Sequence, residues 1–281
     1  TAIILNIFFP YDFLCALLLS RKKKQVSEKF EKWLDVVYEL DALNCLAQFA
    51  ANNSAAAFPN FADEKESTLD VKSLGHPFIL PTNSVCNSFE VCGRGTTVLI
   101  TGSNMSGKST FLRTLGINIV LAYAGAPVIA SSFSMSPVKL FCCIQVNDSI
   151  KDGVSQFYAE VKRLKKLQDE LDNADERPIF YLVDEIFKGT NNRERFIGSR
   201  SFIKSLTEKH GCGLISTHDL ELTHLANIRN LHFREHIKDG KLVFDYVLHD
   251  GPCPTTNALK IIKLEGLPLD EDFESEIQAK P

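Results

Sequence analysis

The amino-acid sequence predicts an α/β fold, with a mixed, mainly parallel sheet flanked by helices and preceded by an N-terminal helical segment. Short apolar segments, Thr97–Ile100, Ile179–Val183 and Gly213–Ser216, alternate with helical stretches. Such alternation is typical of parallel sheets with crossover helices. Residues 27–53 carry apolar side chains at three- and four-residue steps, which indicates an amphipathic helix. A glycine-rich stretch directly follows the first predicted strand.

Composition and charge are those of an ordinary globular protein. The chain has 281 residues, of which 44% are hydrophobic and 23% charged, and its net charge is −4. Because there is no overall basic excess, any contact with DNA must come from a local patch or from regions outside this sequence.

Eight cysteines form no C-x-x-C pair. We therefore expect reduced core cysteines and a cytoplasmic location.

The first apolar run, residues 3–19, raises the question of a membrane span. A spanning helix needs about 20 mostly apolar residues, and this run is shorter and is interrupted by polar residues and proline (Asn6, Pro10 and Asp12). A buried helix followed by the charged run 21–24 is the favoured interpretation, and a membrane span is the alternative. The sequence starts at Thr1, so we expect it to be the C-terminal part of a longer chain.

A domain boundary is expected after the amphipathic helix. Ser27 is the expected N-cap of that helix, and the Asn52–Asn53 pair its expected end. Proline, glycine and clustered charges follow before the predicted strands begin. We therefore expect a helical segment over residues 1–70 and an α/β domain over 71–281.

The segment TGSNMSGKST, residues 101–110, fits the P-loop pattern G-x-x-x-x-G-K-[ST]. Glycines let backbone N–H groups turn toward phosphate oxygens, and a helix that begins near Lys108 adds its positive end. Lys108 is expected to contact the β- and γ-phosphates of ATP, and Ser109 to bind Mg²⁺. The predicted nucleotide-binding residues are Gly102, Ser103, Asn104, Met105, Ser106, Gly107, Lys108, Ser109 and Thr110.

Two further strand ends carry candidate catalytic groups. The apolar run 179–183 leads into Asp184 and Glu185, as in a Walker B strand. Asp184 is expected to hold Mg²⁺ and Glu185 to polarise the attacking water, because open α/β sheets bind ligands at the carboxyl ends of their strands. His218 ends another apolar strand, and it can contact the γ-phosphate or position the water. A solvated acid pair and a structural histidine are the alternatives.

Ser155 is a candidate for a second phosphate contact. It precedes a predicted helix within the pattern Gly153-x-Ser155-x-Phe157, and helix N-termini favour anions. A second anion-binding helix end suits a dimer in which each subunit completes the other's γ-phosphate pocket, as in ABC-type ATPases. A simple N-cap is the alternative.

Together these motifs resemble the MutS family of DNA mismatch repair ATPases. TGSNMSGKST resembles the family's T-G-P-N-M-G-G-K-S-T, in which the Asn-Met pair is the specific part. DEIFKGT resembles D-E-x-x-x-G-T, STHDLEL resembles A-T-H-x-x-E-L, and the Ser155 segment matches the family's signature helix. ELDALNCLAQFA and GHPF resemble segments that precede the family's nucleotide site. The resemblance implies a P-loop NTPase fold of the ABC-ATPase type that uses ATP and Mg²⁺.

The resemblance also implies roles outside the P-loop. Tyr246 falls where the family stacks an aromatic or histidine side chain on adenine, although a core or surface tyrosine is equally compatible with its strand. The segment TTNALKIIKLEGLP fits the family's C-terminal helices, which complete a homodimer. The family couples the ATP state to movement of a dimeric clamp on DNA.

The chain also departs from the family pattern. Ser103 and Ser106 replace the usual proline and glycine, Phe187-Lys188 precedes Gly189, and no mismatch-reading domain is present. These features are closer to a short bacterial branch with predicted upstream membrane helices. A membrane-tethered or protein-remodelling ATPase without mismatch recognition is therefore the alternative function.

Overall fold

The computed structural model describes residues 10–62, 68–144, 156–173, 177–207, 209–238 and 241–254. The chain divides into two compact units, Thr1–Ser54 and Ala55–Pro281. This division comes earlier than the boundary expected after residue 70. The reason is that Ala57 forms a β-bridge with Val128, and the strand Asn60–Phe61 pairs with a strand of the second unit.

The described residues of the first unit form one long helix, α1 (Tyr11–Asn52). The expectation of two separate helices with an N-cap at Ser27 is wrong, because neither proline nor glycine interrupts residues 11–52 and the charged run 21–24 continues the helix. Pro10 precedes the helix, and the side chain of Asn53 donates a 2.9 Å hydrogen bond to the carbonyl oxygen of Phe49 at its end.

The expectation of a buried N-terminal helix is also wrong for this part of the chain. None of the residues of α1, all of which the structure describes, is buried. Apolar side chains such as Phe13, Leu19 and Trp33 are each more than half exposed. Within the described ranges, no helix combines the length and apolar character that a membrane crossing requires.

The second unit is a mixed α/β structure, which confirms the predicted fold class at this level. Short 3₁₀ turns lie at Pro81–Asn83 and Leu220–His224. The helices and strands, in chain order, are β1 (Asn60–Phe61), β2 (Thr68–Leu74), β3 (Asn87–Cys92), β4 (Thr97–Thr101), α2 (Lys108–Tyr123), β5 (Ser132–Met135), β6 (Lys139–Cys143), α3 (Gln156–Asp172), β7 (Ile179–Asp184), α4 (Asn192–Leu206), β8 (Gly211–Ser216), β9 (Ile228–His232), β10 (Glu235–Lys238), β11 (Lys241–Phe244) and β12 (His249–Asp250).

Among the described residues, the strands form three sheets. The six-stranded sheet has the order β12-β9-β4-β8-β7-β6, and all of its neighbours are parallel except β12 and β9. A four-stranded sheet has the order β1-β5-β2-β3, and β10 pairs antiparallel with β11. Every residue of β4, β7 and β8 is buried, which explains their continuous apolar sequences, since central parallel strands are covered on both faces.

Two cores cover the two faces of the six-stranded sheet. Val98 and Ile100 of β4 belong to the core that contains the buried side chains of α2. Leu99, between them, belongs to the core formed with α3 and α4. The four-stranded sheet contributes Val71 and Phe133 to the α2 core. Helix α2 is therefore held between two sheets, and its N-terminus is fixed at the carboxyl end of β4.

The cysteines follow the expectation only in part. Cys143, Cys212 and Cys253 are buried, whereas Cys45 and Cys86 are exposed. The structure places none of these five in a disulfide. Burial raises the pKa of Cys143 to about 11, so this thiol is protonated at neutral pH and acts as an apolar core group.

Candidate functional site

The glycine-rich loop connects β4 to α2. Gly102 has φ 139°, and a Cβ atom there would lie 2.5 Å from the carbonyl oxygen of Phe233. Gly107 precedes the first residue of α2 and has φ 113°. Both positions lie in a backbone region that favours glycine, so the two glycines of the motif are required by the path of this loop. The loop turns the N-terminus of α2 toward the carboxyl edge of the six-stranded sheet.

Lys108, the first residue of α2, is only 5% exposed. Its Nζ donates hydrogen bonds to the carbonyl oxygens of Gly102 (2.8 Å) and Ser103 (2.7 Å). Burial lowers the pKa of Lys108, and the nearby carboxylates of Glu185 and Asp184 oppose that shift. A buried ammonium at a helix N-terminus is an arrangement that favours negatively charged groups.

Other loop residues differ widely in exposure. Met105 is 83% exposed and has φ 68°, whereas Ser106 is fully buried. Asn104 and Thr110 are also exposed. The side chains of Asn104 and Met105 are thus open to solvent, whereas those of Ser106 and Lys108 are buried within the loop.

Asp184 ends β7 and lies against the start of α2. Its Oδ1 accepts hydrogen bonds from Ser109 Oγ (2.9 Å) and Ser216 Oγ (2.6 Å). Ser216 ends β8, the strand between β4 and β7, and is paired in register with Asp184. The structure therefore brings together both residues that the sequence assigned to Mg²⁺. It adds Ser216, which begins the STHDLEL segment but was not identified as a site residue from the sequence.

Glu185 follows Asp184 in the left-handed region, with φ 54°. Its backbone N–H donates to Ser216, whose carbonyl oxygen lies 3.1 Å away. Oε1 of its carboxylate lies 3.7 Å from His218 Nδ1, and Oε2 lies 3.2 Å from Lys188 Nζ. The nearby imidazole of His218 is the main cause that lowers the pKa of Glu185 to about 2; burial opposes this shift and Lys188 supports it. Glu185 is thus an anion at neutral pH.

His218 lies between two carboxylates, and this arrangement includes residues that the motifs did not indicate. Its Nε2 is 4.0 Å from Asp219 Oδ1. Arg195 of α4 makes two hydrogen bonds of 3.0 Å to the carboxylate of Asp219, a bidentate pair that fixes this side chain. Arg195 and Asp219 are separated along the chain, so no local spacing predicts their contact.

Tyr246 lines a cleft of about 280 Å³ beside the loop. Its ring lies 3.4 Å from the position that a Cβ of Gly107 would occupy. Asn87 holds this segment, because its Nδ2 donates to the carbonyl oxygen of Tyr246 (3.0 Å) and its Oδ1 accepts from the N–H of Leu248 (2.7 Å). The other side chains around the cleft include His76, Ile79, Val85, Thr110 and Phe233.

A buried carboxylate at the start of β10 contacts the glycine-rich loop. Ser103 Oγ donates a 2.7 Å hydrogen bond to Oε2 of Glu235, the first residue of β10. Glu235 is 6% exposed, and its Oε1 has no hydrogen-bond partner among the described residues. The sequence analysis did not identify Glu235 as part of the site.

Two sequence-based predictions fall outside the described residues. Ser155 is one of them, since α3 is described only from Gln156 onward. The other is the pair of C-terminal helices, because the description ends at residue 254. Both therefore stay predictions.

The fold and site define a class of protein: a mixed α/β domain in which a glycine-rich loop between a strand and a helix faces carboxylates at neighbouring strand ends. A family model described as MutS domain V matches residues 98–272. The chain belongs to the MutS family, and the resemblance found in its motifs is confirmed.

Curated relatives agree with this assignment. The DNA mismatch repair protein MutS of Staphylococcus saprophyticus is 31% identical over 263 residues, which cover 90% of this chain and 29% of that protein. The protein of the same name from Lactobacillus delbrueckii subsp. bulgaricus is 31% identical, covering 89% of this chain and 30% of that protein. The one from Thermus thermophilus is 28% identical, covering 90% and 30%. The chain thus spans less than a third of the length of these relatives.

Proposed function

We propose that this chain is the ATP-binding and ATP-hydrolysing part of a MutS-like protein, and that its ATP state drives a dimeric clamp on DNA. The observation that carries the proposal is the contact between Ser109 and Asp184. It joins the glycine-rich loop after β4 to a carboxylate at the end of β7, two strands away in the same sheet. A Mg²⁺-nucleotide needs both partners at one point, since the loop takes the phosphates and the carboxylate takes the metal.

The geometry of these two residues fits Mg²⁺. The ion prefers oxygen ligands at about 2.1 Å in octahedral geometry, which places adjacent ligand oxygens about 3 Å apart. Ser109 Oγ and Asp184 Oδ1 are 2.9 Å apart. These two oxygens would hold the ion, whose bound charge would stabilise the negative charge on the β- and γ-phosphates.

Lys108 would bind the phosphates. Its Nζ already lies within hydrogen-bond distance of the loop carbonyls of Gly102 and Ser103, and a phosphate oxygen offers a charged acceptor in their place. The backbone N–H groups of the loop and the start of α2 would supply further donors. As negative charge moves during phosphoryl transfer, these fixed donors would stabilise the transition state.

Glu185 and His218 would act on the attacking water. The pKa of Glu185 is lowered to about 2, so the side chain is a carboxylate at neutral pH and only a weak base. It would orient and polarise the attacking water, but it would not keep the proton that the water loses. His218 lies beside the same carboxylate and would position the water or contact the γ-phosphate. Asp219, held by Arg195, would fix the orientation of the imidazole.

The cleft beside Gly107 would hold the nucleoside. It opens next to the phosphate-binding loop and has an apolar and aromatic lining (Ile79, Val85, Phe233 and Tyr246). Tyr246 would stack on the adenine ring, an arrangement that suits an aromatic face held by backbone contacts to Asn87. This agrees with the role implied for Tyr246 by the family resemblance.

The relatives named DNA mismatch repair protein MutS support a role in mismatch repair or a related DNA transaction. A homodimer through this domain, with Ser155 and the C-terminal segment completing the partner's site, is the assembly we propose. DNA contacts would lie mainly outside the chain, since its net charge is −4. We propose a cytoplasmic location.

A matched pair of variants tests the proposed ATPase activity. Lys108→Ala should abolish Mg²⁺-dependent ATP hydrolysis by the purified chain and weaken binding of trinitrophenyl-ATP. Lys165→Ala is the control, because this lysine is 64% exposed and pairs with Asp169 on α3. Full turnover in the Lys108 variant would contradict the proposal.

Duplex DNA binding measured as a function of salt concentration tests the DNA role separately. The slope of log affinity against log salt concentration counts the phosphate contacts.

A further inference from the structure

Glu160 is a buried carboxylate in the first turns of α3 that contacts the segment after Asp184. It is 5% exposed. Its Oε1 accepts a hydrogen bond from the backbone N–H of Phe187. Burial raises the pKa of Glu160, whereas the backbone N–H groups of Phe187 and Lys188 oppose that shift by binding the charged form. Burying a carboxyl group costs free energy of folding, and hydrogen bonds to that group offset the cost.

The segment that Glu160 contacts has an unusual backbone. Glu185 and Phe187 both have positive φ, 54° and 59°. Neither residue is glycine, so each conformation costs free energy that neighbouring contacts must offset. The donor to Glu160 is the N–H of Phe187 itself, so this bond acts on one of the two strained positions and holds the turn that carries Glu185.

Two apolar contacts bring the same two elements together. The rings of Phe157 and Phe187 lie with their centroids 6.1 Å apart. A Cβ atom at Gly189 would lie 2.9 Å from the Cβ of Phe157, so the turn approaches α3 more closely than another residue would permit. Phe187 and Gly189 are therefore packed directly against the first turns of α3, and Glu160 supplies the polar part of that contact.

We propose that Glu160 is a positioning residue, which fixes the turn bearing Glu185 to the first turns of α3 so that a shift of α3 moves the Glu185 carboxylate. Only the consequence for hydrolysis rests on the proposed ATPase function; the anchoring itself does not. In the proposed dimer, the start of α3 faces the nucleotide of the partner subunit. Glu160 then connects occupancy of the partner's site to the residue that polarises water in its own site.

Hydrogen–deuterium exchange tests the anchoring without requiring activity. In Glu160→Ala, the amides of residues 187 and 188 should exchange roughly tenfold faster or more, because the hydrogen bonds that the Glu160 carboxyl group accepts from them are lost. Glu160→Asp keeps the charge but shortens the side chain, and it replaces the alanine variant if the latter does not fold. Glu170→Gln is the matched control on the same helix, where Glu170 pairs with Lys139 and Lys166. Unchanged exchange in a folded Glu160→Ala or Glu160→Asp chain would overturn the proposal.

Steady-state kinetics test the consequence for the reaction. Glu160→Ala should lower kcat by about 10- to 100-fold, as expected when a reacting group is misplaced, with the KM for ATP and the Kd of trinitrophenyl-ATP changed less than about twofold. Glu160→Gln should restore part of kcat, because its amide oxygen still accepts a hydrogen bond. Unchanged kcat, or an equal loss of binding and turnover, would contradict the positioning role. Absence of turnover in the unaltered chain would instead contradict the proposed function and leave the exchange result to decide the anchoring.

Discussion

Ser109 Oγ donates a 2.9 Å hydrogen bond to Oδ1 of Asp184, which joins the first turn of α2 to the end of β7. Strand β8 lies between β4 and β7 in the sheet, so the two residues meet across a strand that carries neither. Ser216, at the end of β8, donates to the same oxygen. The carboxylate is thereby held at the point where the phosphate-binding loop opens.

The first prediction concerns Asp184 and the metal. Asp184→Asn keeps an oxygen that can accept from Ser109 but removes the negative charge. Binding of trinitrophenyl-ATP in EDTA should change less than about twofold, whereas hydrolysis with Mg²⁺ should fall at least about 100-fold, since a bound metal contributes several kcal/mol of charge stabilisation. Asp172→Asn, which removes a surface ion pair with Lys209, is the control. Equal turnover in the two variants would count against a metal role.

The second prediction separates binding from hydrolysis at Glu185. Glu185→Gln should preserve ATP binding and lower kcat by about 100-fold or more, because an amide forms hydrogen bonds but cannot polarise water as a carboxylate does. Single-turnover hydrolysis and equilibrium binding measure the two steps separately. The proposed role is wrong if this variant loses ATP binding while its bound ATP is hydrolysed at the original rate.

The third prediction concerns stability against pH. The pKa of Glu185 is about 2 in the folded chain against an ordinary value of 4.5, chiefly because His218 binds the charged form. Its contribution to the free energy of unfolding is therefore present above about pH 4.5 and is lost as pH falls toward 2. Urea unfolding between pH 5 and pH 3 should show a weaker pH dependence in Glu185→Gln than in the unaltered chain. If the two chains show the same dependence of unfolding free energy on pH, folding does not shift the pKa of this carboxyl group.

The fourth prediction concerns the contact between Ser103 and Glu235. Ser103→Ala removes the donor to Oε2, while Oε1 has no partner among the described residues, so the buried carboxylate loses its observed hydrogen bond. The free energy of unfolding should fall by about 1–3 kcal/mol, the usual cost of leaving a buried polar group unsatisfied. The exposed Ser201→Ala is the control. In a double-mutant cycle with Glu235→Gln, the two changes should be non-additive; additive losses would mean that the two side chains act independently.

The local parts of the site could be predicted from the sequence, whereas the contacts between distant elements could not. The glycines, Lys108 and Ser109 follow a spacing that the loop requires, and Asp184 follows a continuous apolar strand. Ser216 and Glu235 meet these groups only after strands distant in sequence have paired. The contact between Glu160 and Phe187 depends in the same way on how α3 packs against the turn after β7.

The error in the N-terminal segment has a local cause. The charged run 21–24 and Ser27 were interpreted as the end of one helix and the start of the next. Lysine and arginine have high helix propensity, however, and serine lies within a helix at modest cost. In the absence of proline and glycine between residues 11 and 52, the helix continues through both features.

The last prediction concerns a site shared between two subunits. If Ser155 acts on the partner's nucleotide, its helix end adds N–H donors to the γ-phosphate only when two chains close together. ATP then favours the closed dimer and hydrolysis releases it. The interface should be two-fold, with the same patch used by both subunits.

A mixing experiment distinguishes this arrangement from one in which each chain completes its own site. Lys108→Ala removes the phosphate-binding lysine from one chain, and Ser155→Arg obstructs the helix end of the other. In the mixed dimer, the intact loop of the second chain meets the intact Ser155 of the first, so one composite site forms. Each variant alone should be inactive, and the mixture should regain part of the ATPase activity of the unaltered chain. Tagged chains purified in two affinity steps confirm that mixed dimers are present. If those mixed dimers are as inactive as either parent, Ser155 does not act across the interface. The mixed dimer contains one site with an intact Lys108 and an intact Ser155 from the partner, and that site would have hydrolysed ATP.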